Sequence, residues 1–331
     1  MLWATLRSKN PEPGKARPHY SQFFENFLPL QSLAYLEENN RGKDYHDGFE
    51  CTNCDMNNTM TSGSHAAEPT GLDQAQLKQG LEYAERNFLS EKCHLYLDKQ
   101  ILKKNFNLKG KDVLDFGCGM GNTSLWIAKE LGARVDGYDL DPNHIAVAKE
   151  LHRKHQIPGV KFELRNIIEK PIEKQYDFIM LNDVIEHIKE EWIYGILDTL
   201  INRNLRRGGI IFFSYPPWEG PHASHLQRAI KIPWVQFLPQ RYVYNLIEQK
   251  NRKLVGSKDL MTEYKELNHM THKKLMSYLK PFGLTRIFRY SHTKFNSLPL
   301  LKNTNLSFFP FSFVVTKELI AFTKGSETPL G

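Results

Sequence analysis

The fold of this chain is decided by the stretch Val113-Leu-Asp-Phe-Gly-Cys-Gly-Met-Gly121. Val113, Leu114 and Phe116 form a short apolar run, which predicts a buried parallel strand. Three glycines follow directly, and the segment Leu125-Trp-Ile-Ala-Lys-Glu-Leu131 then has helical spacing. A strand, a glycine turn and a helix form a unit that holds a nucleotide, because glycine permits positive φ angles and close approach of a ligand to the helix N-terminus.

The chemistry of the glycine turn indicates which nucleotide it holds. A dinucleotide fingerprint requires G-x-G-x-x-G, and counting from Gly117 the third glycine position is occupied by Asn122. A phosphate-binding loop requires a lysine that this turn does not have. Asp115 precedes the first glycine and suits an ammonium group, while Asp139 ends the next predicted strand and is the usual partner of ribose hydroxyls. A ribose together with a cation fits S-adenosylmethionine.

Three motifs then resemble those of the class I S-adenosylmethionine-dependent methyltransferases. The stretch 113–121 resembles motif I, Gly137-Tyr-Asp-Leu-Asp141 resembles the second motif, and residues 176–187 resemble the fourth. The resemblance covers about residues 80 to 325 and implies S-adenosylmethionine as the cofactor. It implies that the glycines and Asp115 hold the methionine end of the cofactor. It also implies that Asp139 holds the ribose and that residues 166 and 167 hold the adenine. The implied cofactor-binding residues are Asp115, Gly117, Cys118, Gly119, Gly121, Asp139, Leu140, Asn166, Ile167 and Asn182.

Alternating strands and helices predict an α/β, doubly wound, Rossmann-like fold. The pattern predicts strands at 112–116, 134–138, 160–164, 176–181 and 209–214, and helices at 122–132, 142–155 and 189–204. The pair Gly208-Gly209 is expected to open the fifth strand. Residues 269–283 resemble the last helix of the family and precede strands at 284–290 and 314–323. The resemblance implies seven strands in the order 3-2-1-4-5-7-6, with an N-terminal helical extension and an insert after strand 5.

Composition divides the chain into an extension and a domain. Residues 1–72 are poorly patterned and are expected to be flexible or weakly structured, and Met56 or Met60 is a candidate for the natural start. The methyltransferase domain is predicted at 73–325. It comprises lid helices at 73–108, a cofactor-binding core at 109–215, an insert at 216–265, and a C-terminal helix and strands at 266–325. Tyr83 and Phe88 are candidates for the lid or the core. The apolar insert favours a lid over the acceptor, with a surface that touches lipid or a partner as the alternative.

Net charge and cysteine content indicate the partners and the compartment to be expected for the protein. The 331 residues have a net charge of +7, which permits an acidic partner but is more typical of solvated surface. The four cysteines lack a regular framework, which indicates a reducing compartment, and Cys51-Thr-Asn-Cys54 lacks the second pair that a zinc site needs. Neither a signal peptide nor a transmembrane run is recognisable, so a cytoplasmic location is expected. The oligomeric state stays open.

Methyl transfer from a sulfonium is an in-line displacement that also requires proton removal when the acceptor is a hydroxyl. A base is therefore expected at the carboxyl ends of strands 4 and 5, where the candidates are Asp183, His187, His222 and His225. We favour His222 and His225 because they follow strand 5 and because an unperturbed imidazole titrates at about 6.5. His187 is as well explained by support of the cofactor pocket.

A metal site is the competing interpretation of this region. The sequence Asp183-Val-Ile-Glu-His187, with His269 downstream, is similar to the E-x-x-E-H and distant histidine of metal-dependent small-RNA 2′-O-methyltransferases. It also resembles the acidic motif of ubiquinone-biosynthesis O-methyltransferases. Asp183, Glu186, His187 and His269 would suit Mg²⁺, Mn²⁺ or Zn²⁺. Because aspartate reaches less far than the glutamate of the pattern, we assign no metal to the site, and metal dependence stays open.

The resemblance implies a biosynthetic S-adenosylmethionine-dependent methyltransferase. We expect O-methylation of a small molecule, a glycan or a lipid-linked intermediate, because Pro216-Pro-Trp218 and Pro233-Trp234 resemble segments of bacterial polysaccharide and secondary-metabolite methyltransferases. One alternative is a metal-dependent RNA 2′-O-methyltransferase, although lysine and arginine are dispersed and no RNA-binding module is recognisable. The other is a non-catalytic S-adenosylmethionine-binding protein, which the complete motif I disfavours.

Overall fold

A seven-stranded sheet forms the centre of the computed structural model, which describes residues 72–325 except 91, 92, 94, 228, 252–259, 298–303 and 305–310. The strands are β1 (Asp112–Phe116), β2 (Arg134–Asp139), β3 (Val160–Leu164), β4 (Tyr176–Asn182), β5 (Leu205–Tyr215), β6 (Thr285–Thr293) and β7 (Val315–Thr323). Their order is β3-β2-β1-β4-β5-β7-β6. In this sheet β7 runs antiparallel to its neighbours β5 and β6, and the other pairs of neighbouring strands are parallel. The predicted fold class and strand order are therefore confirmed.

Helices cover both faces of the sheet. They are α1 (Gln74–Leu89), α2 (Tyr96–Asn105), α3 (Asn122–Leu131), α4 (Pro142–His155), α5 (Glu190–Asp198), α6 (Gln240–Asn251), α7 (Leu260–Glu266) and α8 (His272–Leu279). Helix α1 begins with a capping box between Asp73 and Gln76, and α4 begins with Pro142 after the capping side chain of Asp141. These ends satisfy backbone N–H groups that a helix otherwise leaves without partners.

Two apolar clusters hold the layers together. Successive side chains of a strand point to opposite faces, so Phe178 and Met180 of β4 pack in one cluster and Ile179 and Leu181 pack in the other. The first cluster includes residues of α1 to α4, and the second includes residues of α5 and α8. Burial on both faces explains why the sequence of β4 is almost continuously apolar.

The insert has a small core of its own. Its buried residues are Leu226, Ile230, Val235, Val243, Ile247 and Leu260. Much of the apolar content of the insert is therefore used for internal packing. Ile232, Phe237, Leu238 and Tyr242 remain between 41% and 53% exposed. The expected lid role of this insert stays a prediction.

The segment 73–108, predicted to be helical, contains α1 and α2, and the helix predicted at 189–204 consists of α5 followed after Asp198 by a π-helix. The predicted start of the fifth strand is wrong. Strand β5 begins at Leu205, so Gly208-Gly209 lies inside it. The register between β4 and β5 shifts there, and Gly208 has a φ of 71°, so the glycines form an irregularity within the strand. The predictions for residues 1–71 lie outside the described residues.

Candidate active site

The glycine turn after β1 forms the floor of a cleft. Gly117, Gly119 and Gly121 have φ values of 75°, 53° and 74°, which favour glycine. A Cβ atom at Gly117 would lie 2.5 Å from Val184 Cγ2, and one at Gly121 would lie 2.5 Å from Phe162 Cζ. A Cβ atom at Gly119 would meet nothing within 4 Å. The outer glycines thus permit close packing, whereas the middle glycine borders open space.

Asp139, at the end of β2, is an acceptor next to this turn. Its Oδ2 accepts a hydrogen bond from the Gly119 N–H at 2.8 Å, and its Oδ1 accepts one from the Asp141 N–H at 2.9 Å. Nδ1 of His144 lies 3.7 Å from Oδ1. Burial raises the pKa of Asp139, but the imidazole and the two N–H donors outweigh burial, so the pKa lies below its usual value. Asp139 is therefore ionised in the cleft.

Asp115 is the second acid of the cleft, and its ionisation is delicately balanced. Burial raises its pKa to about 7, although the Ser124 hydroxyl, which donates a hydrogen bond to Oδ2, acts in the opposite direction. The negative charge of Asp139 raises the pKa further. A cation bound nearby would stabilise the carboxylate form, so this position suits a ligand with an ammonium group.

The cleft has a volume of about 240 Å³. Nine of the ten predicted cofactor residues line it, namely Asp115, Gly117, Cys118, Gly119, Asp139, Leu140, Asn166, Ile167 and Asn182. Gly121 does not line it and packs against Phe162 instead. The cleft is also lined by Met120 and Tyr138, which lie inside the motifs but were not named as site residues, by Trp192, and by Tyr83, a candidate for the lid or the core. Phe88, the other candidate lid residue, packs in the core with 3% exposure.

Two asparagine side chains of the cleft are candidates for hydrogen bonds to a nucleoside. Asn182 Oδ1 is buried and accepts no hydrogen bond from any residue that the structure describes. Asn166 Oδ1 accepts the Ile168 N–H at 3.1 Å, which fixes its side chain beside Ile167. An ionised acceptor, an unsatisfied amide oxygen and the open space over Gly119 fit S-adenosylmethionine.

A second group of polar side chains adjoins the cleft. Glu186 and His187 lie in a 3₁₀ turn directly after β4, and His225 lies on the loop after β5. Glu186 Oε1 is 3.9 Å from Nε2 of His187 and 3.9 Å from Nε2 of His225. The imidazole ring centres are 4.8 Å apart, edge to face. Because His187 also lines the cleft, this Glu186–His187–His225 group borders the cofactor position.

Burial decides the protonation of this group. Burial, together with the negative charge of Asp183, raises the pKa of Glu186 well above its usual value. Burial and the neighbouring His225 lower the pKa of His187 well below its usual value, so the His187 imidazole is neutral at neutral pH. A neutral imidazole offers a lone pair to a proton or to a cation.

The turn that contains the group is fixed by Asn268. Its Nδ2 donates hydrogen bonds to the carbonyl oxygens of Ile185 and Ile188 at 2.6 and 2.8 Å. Its backbone N–H donates to the Glu186 carbonyl at 3.0 Å. This role could not be predicted from local spacing, because residue 268 is some eighty positions away from the turn along the chain.

The remaining predicted residues do not belong to the group. Asp183 Oδ2 forms an ion pair with Lys317 Nζ at 2.8 Å. The His269 ring stacks on Trp218 with ring centres 3.9 Å apart. His222 lies on the same loop as His225, and burial lowers its pKa. The close group of ligand atoms in the described residues contains none of Asp183, His222 and His269.

Known proteins share this architecture. The model of a family described as "Methyltransferase domain" matches residues 107–280, more than half of the chain. An uncharacterized methyltransferase of Mycobacteroides abscessus is 30% identical over 40% of this chain and 50% of its own length. The ubiquinone biosynthesis O-methyltransferase of Coxiella burnetii is 30% identical over 46% of this chain and 57% of its own. The chain therefore belongs to the class I S-adenosylmethionine-dependent methyltransferase family.

Among solved structures, this chain is similar to the Haemonchus contortus phosphoethanolamine N-methyltransferase 2 with S-adenosylhomocysteine, with a TM-score of 0.49 and 19% identity over 75% of this chain and 58% of that one. The chain spans about half the length of the first two curated relatives it matches. Within the described residues, none of the helices has the length and apolar character required to cross a bilayer.

Proposed function

We propose that this chain transfers a methyl group from S-adenosylmethionine to a hydroxyl oxygen of a small molecule, a glycan or a lipid-linked intermediate. The observation that supports an oxygen acceptor is the buried Glu186–His187–His225 group at the border of the cleft. A hydroxyl is a weak nucleophile until it loses its proton, so it needs such a group beside the methyl donor. A neutral amine already has an available lone pair and needs much less assistance.

The cleft residues supply cofactor binding. Asp139 accepts hydrogen bonds from the ribose hydroxyls, and Asp115 faces the ammonium group of the methionine end. The space over Gly119 admits the ligand against the backbone. Asn166 and Ile167, which line the cleft, contact the adenine, and Asn182 offers an unsatisfied oxygen.

The transfer itself is an in-line displacement. The acceptor oxygen forms a bond to the methyl carbon while the bond between carbon and sulfur breaks, and its electron pair stays on the sulfur of S-adenosylhomocysteine. The hydroxyl proton leaves to solvent water with the assistance of the adjoining Glu186–His187–His225 group. Asp183 contributes less directly, since Lys317 holds its carboxylate. The similarity to the Coxiella burnetii ubiquinone biosynthesis O-methyltransferase supports an oxygen acceptor.

Substitution of His225 tests this proposal. Labelled S-adenosylmethionine is first supplied with panels of hydroxyl, amine and carboxylate acceptors, and we expect transfer to hydroxyl compounds. His225→Ala then slows that transfer about 100-fold or more, because a positioned proton-removing group contributes at least that much. His222→Ala is the matched control on the same loop and stays close to the wild-type rate.

Calorimetric titration with S-adenosylhomocysteine shows whether the His225→Ala cleft is intact, and we expect unchanged affinity. Full transfer activity in that variant would remove the Glu186–His187–His225 group from the reaction. Transfer to amines alone would contradict the oxygen acceptor. Binding that weakens steeply with salt on structured RNA would instead favour the RNA 2′-O-methyltransferase.

A further inference from the structure

Glu186 is a buried carboxylate in an unusual environment. Its side chain is 4% exposed, and neither oxygen accepts a hydrogen bond from another residue of the described part of the chain. Buried carboxylates in proteins are normally paired with a charge, hydrogen-bonded or bound to a metal. The two side chains that approach Glu186 Oε1, His187 and His225, stop at 3.9 Å. The space between the three side chains therefore suits a bound cation.

The geometry of the three side chains agrees with one ion. Two ligand atoms that each lie about 2.0–2.2 Å from a zinc ion are at most about 4.4 Å apart. Both distances from the carboxylate to the imidazoles are 3.9 Å, within that limit. All three ligand atoms lie within 4.8 Å of one another, so only a small inward movement of the rings closes the set.

We propose that Glu186, His187 and His225 bind a divalent transition-metal ion beside the cofactor cleft. Two imidazoles and a carboxylate form a ligand set that zinc and other first-row ions use while keeping an open position for water or substrate. Because His187 also lines the cleft, the ion is bound directly to a residue of the cleft wall.

This set differs from the one that the sequence motif indicates. The carboxylate of Asp183 is held by Lys317, and His269 is stacked on Trp218. His225 replaces both, because the loop after β5 brings it against the turn after β4. The hydrogen bonds of Asn268 to that turn hold Glu186 and His187 in place for binding.

The role of the ion in methyl transfer depends on the proposed function, whereas its binding does not. An acceptor hydroxyl that occupies the open position has its pKa lowered by the cation and releases its proton to solvent water. The oxygen then forms its bond to the methyl carbon, and the bond to sulfur breaks with its electrons remaining on sulfur. The metal is unchanged at the end of the reaction.

Zinc retention by four forms of the full chain tests the proposal. Wild type, Glu186→Gln, His225→Ala and the control His222→Ala are stripped with a chelator, incubated with Zn²⁺, dialysed and analysed for metal content. Cys51 and Cys54 are present in all four forms, so any zinc that they bind is common to all. We expect wild type and His222→Ala to retain one equivalent more than the other two.

Calorimetric titration with S-adenosylhomocysteine accompanies each form and reports folding of the cleft. Should Glu186→Gln fail to fold, the comparison of His225→Ala with His222→Ala decides alone. Equal zinc content in wild type and a folded His225→Ala variant overturns the proposal. A difference of one equivalent without methyl transfer to any acceptor leaves the metal site established and contradicts the proposed O-methylation.

Discussion

The protonation state of Asp115 is coupled to the binding of a cationic ligand in the cleft. Its pKa is raised to about 7 by burial and then by Asp139, with Ser124 opposing them. Only the carboxylate form attracts the ammonium group of the cofactor. Binding of the cofactor product should therefore require deprotonation of Asp115, and the affinity should fall as the pH decreases through 7.

We predict that lowering the pH from 7 to 5.5 weakens binding of S-adenosylhomocysteine about tenfold, as follows from a single group that must lose a proton. Calorimetric titrations at several pH values measure this dependence. Asp115→Asn should bind weakly and lose most of the pH dependence. An affinity that is equally high at pH 5.5 and 7 would show that Asp115 does not pair with the ligand.

The sequence revealed individual residues only where a motif surrounds them. Asp115 and Asp139 followed from their positions next to the glycine turn, and the structure places both on the cleft. Glu186 and His225 could each be singled out, but their proximity could not be predicted, because they are 39 positions apart with a whole strand between them. Contacts of that range depend on how the chain packs, which local spacing does not encode.

At the scale of elements, Lys317 connects three separate parts of the chain. It lies on β7, and its Nζ is 2.8 Å from Asp98 on α2 and 2.8 Å from Asp183 after β4. Asp98 also accepts a hydrogen bond from the Ser214 hydroxyl of β5. Burial lowers the pKa of Lys317, but the two carboxylates outweigh burial and raise it above its usual value. The lysine is therefore charged, and it joins α2 to the segment that follows β4.

We predict that Lys317→Met lowers the free energy of unfolding by about 3 kcal/mol, because it leaves Asp98 buried without its cation. Chemical denaturation measures this loss, and Lys161→Met, at an exposed strand position, is the matched control with a change of less than about 0.5 kcal/mol. Equal stability of the two variants would mean that the ion pairs of Lys317 contribute nothing to the fold.

The extent of each element was less predictable than its existence. Strands β1 and β3 and helix α4 begin and end where the apolar spacing and Pro142 indicated. The glycines at 208 and 209 were misinterpreted, since an irregularity inside a strand and a turn before it both require glycine. The end of α5 as a π-helix likewise has no signal in the local pattern.

At the scale of the molecule, the cleft and the proposed acceptor side are formed by successive parts of the chain, with His187 common to both. The residues that line the cleft all lie between Tyr83 and Ile196, whereas His225 and the insert come later in the chain. The order of the strands could be predicted because the motifs resemble a family with a known order. The internal core of the insert could not be predicted, because its apolar residues suit a lid, a docking surface or internal packing equally well.

We infer that the cleft between Asp115 and Asp139 binds S-adenosyl cofactors. Calorimetric titration of the full chain and of Asp139→Ala with S-adenosylhomocysteine tests this inference. We expect one ligand per wild-type chain and binding at least about 100-fold weaker in Asp139→Ala, because hydrogen bonds from two ribose hydroxyls to a charged acceptor are lost. No binding to wild type, or equal affinity in Asp139→Ala, would contradict it.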